Sequence, residues 1–140
     1  MQTINLQSAV RTILSAYAQG KLQAQAAPKS EVCEYLHQPS GSKCAIGVCL
    51  SDETLATIRD TVWSDGMWAN RASLLRLVTE GVIAFESDRD HALLGKLQSL
   101  HDDWATAMSD TLREHYHALF RGALDMLAIV ARYDSGIIES

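Results

Sequence analysis

Three cysteines and a histidine stand close together in the first third of the chain, at Cys33, His37, Cys44 and Cys49. Four nitrogen and sulfur ligands are the donor set of structural zinc sites. The spacing opposes such a site, because residues four apart on an extended strand stand about 13 Å apart. No Cys-x-x-Cys knuckle is present either. We therefore expect no metal or other cofactor, and we interpret the cysteines as small hydrophobic packing residues.

Cys49 alone suggests a different chemistry, that of a thiol nucleophile. It precedes a predicted helix start at Ser51, and the positive end of a helix dipole lowers the pKa of a thiol. A base from His37, His91 or His101 would have to stand beside it, and the sequence places none there. The chain also lacks a Gly-rich phosphate loop, a G-x-S-x-G elbow and an H-E-x-x-H motif. We therefore expect a non-enzymatic protein with no catalytic residues.

Three acid-x-x-His pairs raise the possibility of a di-metal carboxylate site, which uses this spacing on facing helices. The pairs are Asp88/His91, Glu114/His117 and Glu34/His37. The third pair falls on a predicted hairpin, where it lacks the helical geometry. We expect solvent-exposed histidines rather than metal ligands.

A large apolar pair, Met67 and Trp68, interrupts the predicted helices at residues 64–70. Such a pair is either a plug into the core, which is the more frequent outcome, or an exposed anchor for a partner. Trp63 and Trp104 fit helical stripes, and we predict both in the core. Because Trp and Met are enriched at the centres of interfaces, Met67 and Trp68 are our first candidate partner-binding residues.

The charge distribution adds acidic residues to this candidate surface. The formal net charge is −5, and residues 71–140 hold eleven acids against seven bases, compared with six against five in residues 1–70. A basic footprint is absent, so we expect no direct nucleic-acid binding. Solvated helix faces are the ordinary explanation of such an asymmetry. As partner contacts, the candidate acids are Glu86, Asp88, Asp90, Asp102 and Asp103.

A ligand site for a small molecule is the alternative from another functional class. A sponge for a signalling nucleotide would need a cationic pocket to hold the phosphates. The candidate ligand-binding residues for that function are Lys43, Arg71 and Arg76.

The elements that position these residues form a mostly α domain over residues 1–134. We predict a compact bundle of five to six helices with one short β-hairpin at about residues 31–49. The first helix spans residues 4–19 and ends at Gly20 in a left-handed cap. A turn at residues 38–41 joins strands at 32–37 and 43–48, with Gln38 opposite Gly41.

Everything after residue 50 has a helical pattern. A helix capped by Ser51 or Asp52 carries Val62 and Trp63, and the next stripe runs from Leu74 to Phe85 with Gly81 weakening it. Two long helices follow, and we expect the tail at residues 135–140 to fray.

Localisation follows from what the sequence does not contain. No apolar run reaches the length of a membrane span, and polar residues interrupt any signal peptide near the N-terminus. An odd number of cysteines indicates a reducing compartment. We expect a protein of the cytoplasm without membrane contact.

The hairpin carries a resemblance to a known group of proteins. The run Gly41-Ser42-Lys43-Cys44-Ala45-Ile46-Gly47 after Cys33, followed by Ser51-Asp52-Glu53, resembles small phage- and prophage-encoded proteins of unknown function. Leu97-Gln98 with His101-Asp102 resembles a second stretch of that group, so the likeness covers about residues 30–105. Ser51 stands where the group has proline, and Val48-Cys49-Leu50 departs from its small-Leu-Ile run.

This resemblance implies an accessory protein of viral or mobile-element origin in the cytoplasm of a host cell, with no catalytic residues to carry over. We expect it to bind and modulate or inhibit a host protein or complex, for example a defence system, as an anti-CRISPR-like or other anti-defence inhibitor. A second copy of the chain, forming a homodimer, is a further candidate partner.

Overall fold

The computed structural model describes residues 1–134 and residue 136, and it confirms a mostly α fold with one antiparallel hairpin. The helices are α1 (Leu6–Ala18), α2 (Gln23–Ala26), α3 (Asp52–Asp60), α4 (Leu74–Thr79), α5 (Asp88–Thr106) and α6 (Asp110–Asp134). The strands are β1 (Gln2–Ile4), β2 (Leu36–His37), β3 (Ser42–Lys43) and β4 (Ile83–Phe85). Two short 3-10 helices occupy Gly47–Cys49 and Ala69–Arg71. The predicted frayed tail at 135–140 lies outside the described residues except for residue 136.

The N-terminal helix begins later than predicted, because residues 2–4 are extended. Asn5 caps α1 by accepting the Ser8 backbone N–H at 2.8 Å, and Gly20 follows the helix with φ +69° as predicted. The strand before it, β1, pairs in parallel with β4, so that Gln2 lies opposite Ile83. The expectation of helix throughout residues 51–134 is therefore wrong at 83–85.

Helix α4 ends at Thr79 rather than continuing to Phe85. Gly81 adopts φ +75°, a left-handed conformation that non-glycine residues rarely take. The N–H of Val82 then donates to the Leu77 carbonyl at 2.9 Å, which closes the C-terminal turn. After this turn, residues 83–85 are extended and form β4, which pairs with β1.

The hairpin has the predicted register but is shorter than predicted. Leu36 pairs with Lys43 and His37 with Ser42, which extrapolates to Gln38 opposite Gly41. Beyond these pairs the strands separate: the Tyr35 N–H donates to Asn70, and the Ile46 N–H donates to Gln98. The predicted strand over 43–48 is therefore wrong after Lys43, because its backbone partners lie elsewhere.

Gly47 makes this departure sterically feasible. A Cβ atom at that position would lie 2.0 Å from the Tyr35 carbonyl oxygen, closer than two such atoms can stand. Position 47 must therefore be glycine for the 3-10 helix Gly47–Cys49 to begin against the backbone of Tyr35, a buried residue.

A single hydrophobic core joins elements from both ends of the chain. Its fully buried members include Ile13 of α1, Ile58 of α3, Leu94 of α5 and Phe120 of α6. Trp104 is 3% exposed, which confirms its predicted core position. Within the described residues, none of the helices combines the length and apolar character needed to cross a bilayer.

Candidate functional site

A short structured loop follows α3, and we call residues 61–71 the Trp68 loop. The chain doubles back so that Val62 and Trp68 form an antiparallel bridge. The Trp63 N–H donates to the Met67 carbonyl at 3.0 Å, and the Ala69 N–H donates to the Thr61 carbonyl at 3.0 Å. These bonds fix the backbone that carries Met67 and Trp68.

The apolar side chains of this loop face outward. Trp68 is 53% exposed, Met67 44% and Val62 55%. The more frequent alternative, a plug into the core, is therefore wrong for Met67 and Trp68. The core prediction for Trp63 is also wrong, since α3 ends at Asp60 and leaves Trp63 half-buried.

Two arginines hold the aromatic rings of the loop in place. The guanidinium carbon of Arg71 lies 5.3 Å from the centroid of the Trp68 ring, and its Nε donates to Glu34 at 3.3 Å. The guanidinium carbon of Arg76 lies 4.5 Å from the Trp63 ring centroid. Cation–π contacts of this kind are worth about 0.5–1 kcal/mol at exposed sites. Both rings therefore have defined orientations before any partner arrives.

Arg76 also connects the loop to α4 by ion pairs. Its Nη1 donates to Asp65 at 2.7 Å and its Nε donates to Glu80 at 2.9 Å. The pKa of Asp65 is lowered by its hydrogen bond to Arg76, so the carboxylate stays charged well below neutral pH. Met67, Trp68, Asp65 and Arg71 together line a shallow cavity of about 380 Å³.

The predicted acidic contacts do not form one surface with this loop. Asp90 is 4% exposed and accepts the Leu6 N–H at 3.0 Å, so its assignment to a partner surface is corrected to a structural one. Asp88 is exposed at the start of α5, and Asp103 is exposed near its end. Fifteen residues of helix separate them, which is about 22 Å along the axis.

Of the remaining acids, Glu86 is exposed beside the N-terminal end of α5 and Asp102 is partly exposed near its C-terminal end. Asp102 lies beside Cys33, whose thiol approaches the Asp102 carbonyl oxygen at 3.9 Å. Glu34, the next residue, pairs with Arg71. Contacts through Cys33 and Glu34 therefore link Asp102 to Arg71 of the loop.

The cysteines are free thiols in apolar surroundings. Cys44 is fully buried, and burial raises the pKa of Cys33 and of Cys44 far above the ordinary value. Burial also raises the pKa of Cys49 to about 12, which is opposite to the lowering expected from a helix dipole. The Cys49 thiol points to the carbonyls of Ala9 and Ala45 at 3.7 and 3.6 Å. A reactive thiolate at Cys49 is therefore not supported.

Cys33, His37, Cys44 and Cys49 do not converge on one point, but a different group of possible ligands does. Donor atoms of Cys33, His101 and Asp102 all lie within 4.8 Å of one another, and in the described chain this is the one such group. His101 is fully buried, and its Nε2 accepts the Ala24 N–H at 3.2 Å while Nδ1 lies 3.2 Å from Asp102. Both ring nitrogens have protein partners, so we assign His101 a structural role linking α2 to α5.

The acid-x-x-His pairs are dispersed over the molecule. His91 stacks on Phe85 with 4.7 Å between ring centroids. His117 stacks on Trp104 at 4.3 Å, and its Nε2 lies 2.6 Å from the Tyr17 hydroxyl. His37 bonds to Ser40 in the hairpin turn. The expected exposure is thus wrong for His101 and for the partly buried His91 and His117, which pack against aromatic rings.

The three cations predicted for a small-molecule pocket are separated in the structure. Arg71 lines the cavity at the Trp68 loop, and Arg76 lies over Trp63. Lys43 instead lines a larger cavity at the hairpin. Lys43 and Arg71 therefore line different cavities, and neither of these two cavities has Arg76 in its lining.

Sequence reasoning missed a second apolar surface, on the outer side of α6. Its exposed residues are Leu112, Leu119, Met126, Ile129 and Tyr133. Four of the five recur at intervals of seven residues, a spacing that keeps them on one side of the helix. This seven-residue spacing is the sequence pattern from which the apolar face could have been predicted.

Comparison of the chain with protein-family models, with curated proteins and with solved structures finds no match.

Proposed function

We propose that this chain is a non-enzymatic accessory protein of phage or prophage origin that binds and modulates or inhibits a host protein in the host cytoplasm. The observation that carries the proposal is the Trp68 loop, where Trp68 and Met67 are exposed on a backbone held by internal hydrogen bonds. A host defence system is the example of a target that we favour.

The composition of the loop supports a protein partner. Trp and Arg are the residue types most enriched at binding hot spots, and Trp68 and Arg71 lie side by side. Charged groups at Asp65, Arg71 and Glu34 surround the apolar centre, which is the usual arrangement of an interface. Ordering of the loop before binding lowers the entropic cost of association.

The acids near the loop favour a partner with a basic surface. Asp102 and Asp103 add negative charge close to the segment that carries Glu34, and the chain as a whole carries −5. Complementary charge raises association rates and selects among partners. A host surface that ordinarily meets nucleic acid has this basic character, which is consistent with an inhibitory role.

The homodimer remains part of the proposal, and the apolar face of α6 supports it. Monomers rarely expose continuous apolar surfaces larger than a few hundred Å². A two-fold axis between Gly122 and Ala123 would place Leu119 of one copy against Met126 of the other in an antiparallel pair. Leu112 would then face Tyr133, so the face is complementary to itself.

A photo-crosslinking experiment tests the proposed site directly. A photo-crosslinking amino acid in place of Trp68 should join the chain to one host protein in infected or expressing cells. The same amino acid in place of Met108, which is 57% exposed between α5 and α6, is the matched control and should not capture that protein. Equal capture from both positions, or none from position 68, would contradict the proposal.

A further inference from the structure

A cavity of about 660 Å³ lies between α1, the α1–α2 connection and the hairpin. Three cationic side chains line it: Arg11, Lys21 and Lys43. No acidic residue is among its described lining residues. The site differs from the Trp68 loop in position and in chemistry, and it does not depend on the function proposed above.

The fold brings these residues together from distant parts of the sequence. Arg11, Ser15 and Gln19 follow one another at four-residue intervals, which places them along one face of α1. Lys21 follows the end of that helix. Leu22 and Lys43 form a parallel β-bridge, which places the hairpin beside the helix end. Residues 40–42 of the hairpin turn also line the cavity.

The cations of this cavity have no acidic partner in the part of the chain that the structure describes. Among the residues that the structure describes, Arg11, Lys21 and Lys43 take part in no ion pair, whereas Arg59, Arg71, Arg76 and Arg89 each do. Like charges around one cavity repel one another, and an anion placed between them relieves the repulsion. In a chain with a net charge of −5, this is a local concentration of positive charge.

The remaining lining indicates which anion fits. Thr12, Ser15, Gln19 and Ser42 each make one side-chain hydrogen bond within the protein, and their hydroxyl and amide groups retain further donors or acceptors for an alcohol-bearing ligand. No aromatic ring is found among the described lining residues, so a nucleobase would have no stacking surface. The volume lies within the range of small-molecule pockets, about 300–1,000 Å³, and exceeds the needs of one phosphate ion.

We infer that this cavity binds a phosphorylated, hydroxyl-rich small molecule, with Arg11, Lys21 and Lys43 contacting the phosphate and the hydroxyl side chains contacting the sugar. A sugar phosphate and the ribose-phosphate part of a nucleotide share this chemistry. The absence of a stacking surface predicts that the base contributes little.

The inference is tested by titrating the full chain with ribose 5-phosphate, ribose, ATP and inorganic phosphate, followed by calorimetry and backbone amide NMR shifts. We expect ribose 5-phosphate and ATP to bind, ribose to fail, and inorganic phosphate to bind more weakly than either. Shifts should fall on residues 11–21 and 40–43. If ATP binds and ribose 5-phosphate does not, the oligophosphate or the base carries recognition and the sugar-phosphate assignment is overturned.

Variants separate this site from a general charge effect. Arg11→Gln and Lys43→Gln should each weaken binding of ribose 5-phosphate about tenfold, the usual effect of losing one charge-assisted hydrogen bond. Lys96→Gln removes the same charge from an exposed position on α5 and should leave affinity unchanged. Equal weakening by all three, or no binding by the unmodified chain at low salt, would overturn the site.

The two functional assignments can fail independently. Trp68→Ala should leave ribose 5-phosphate binding unchanged, because Trp68 does not line this cavity. Loss of ligand binding in that variant would contradict a separate site. If ribose 5-phosphate binds equally well to Arg11→Gln and to the unmodified chain, the assignment of this cavity is overturned. That result would not bear on the function proposed for the Trp68 loop.

Discussion

The guanidinium of Arg76 lies over the ring of Trp63, with 4.5 Å between the guanidinium carbon and the ring centroid. The same side chain binds Asp65 at 2.7 Å, two residues further along the loop. One arginine of α4 thus holds two positions of the Trp68 loop. The orientation of the exposed Trp68 ring therefore depends on Arg76, which binds Trp63 and Asp65 in the same loop.

Arg76→Ala should loosen the loop without unfolding the protein. The variant loses one cation–π contact and two exposed ion pairs that together hold the loop against α4. Hydrogen exchange at the Trp63 and Gly66 amides, both bonded within the loop, should accelerate about tenfold. Arg59→Ala is the control, since Arg59 pairs only with its neighbour Asp60. Unchanged exchange in Arg76→Ala would show that Arg76 does not hold the loop.

Asp90→Ala should destabilise the whole fold by about 1–3 kcal/mol, the cost of leaving a buried donor without a partner. The buried Asp90 carboxylate accepts the first N–H of α1, 84 residues away in sequence. Asp88→Ala, at an exposed site two residues earlier, should change the free energy of unfolding by less than about 0.5 kcal/mol. Urea unfolding of the two variants measures both values, and equal effects would contradict the structural role of Asp90.

Much of the fold could be predicted from local signals. Gly20 ends α1 and the Pro39–Gly41 turn sets the hairpin register, because both effects act over a few residues. Non-local contacts were not predictable: the pairing of β1 with β4 joins segments about 80 residues apart, and three residues are too short for a periodic signal.

The candidate site was predictable only in part. Met67 and Trp68 were recognisable as an apolar pair in a helix break, but their exposure depends on α3 ending at Asp60 and on Arg76 holding Trp63. The cationic cavity was not predicted, because the sequence does not show which cations lie beside Lys43 in the fold. Its actual neighbours, Arg11 and Lys21, lie on the polar side and end of a helix with no distinguishing motif.

Acid should destabilise the fold partly through His117. Burial, followed by the charges of Arg121 and Arg113, lowers the pKa of His117 below its ordinary value of 6.5. Because the unfolded chain takes up this proton first, stability is lost as the pH falls from 6.5 through the folded-state pKa. His117→Gln, whose amide group has both a donor and an acceptor for the Tyr17 hydroxyl, should flatten this part of the stability–pH curve.

Urea unfolding at several pH values between about 7.5 and 5 measures the effect. His115→Gln is the control, because His115 is exposed on α6. A steeper loss of stability with falling pH in His117→Gln than in the unmodified chain would contradict a lowered pKa for His117.

The exposed apolar face of α6 should form a homodimer, and one charged substitution on this face should abolish the dimer. Leu119→Glu places a carboxylate opposite Met126 in the proposed antiparallel pair, where desolvation is costly. Sedimentation equilibrium should give a dimer for the unmodified chain and a monomer for this variant. Leu75→Glu, at a leucine that is 65% exposed on α4, should remain dimeric. A monomeric unmodified chain at about 100 μM would contradict the pairing, since a homodimer with a dissociation constant of about 1 μM is mostly associated at that concentration.

The central claim is that the exposed ring of Trp68 anchors a host protein. Once crosslinking has identified that protein, the most direct measurement is its dissociation constant with three forms of the chain: unmodified, Trp68→Ala and Met108→Ala. Hot-spot tryptophans cost at least about 2 kcal/mol when truncated, so Trp68→Ala should weaken binding by roughly thirtyfold or more. Met108→Ala should bind as the unmodified chain does. Equal affinity of Trp68→Ala and the unmodified chain would contradict the account.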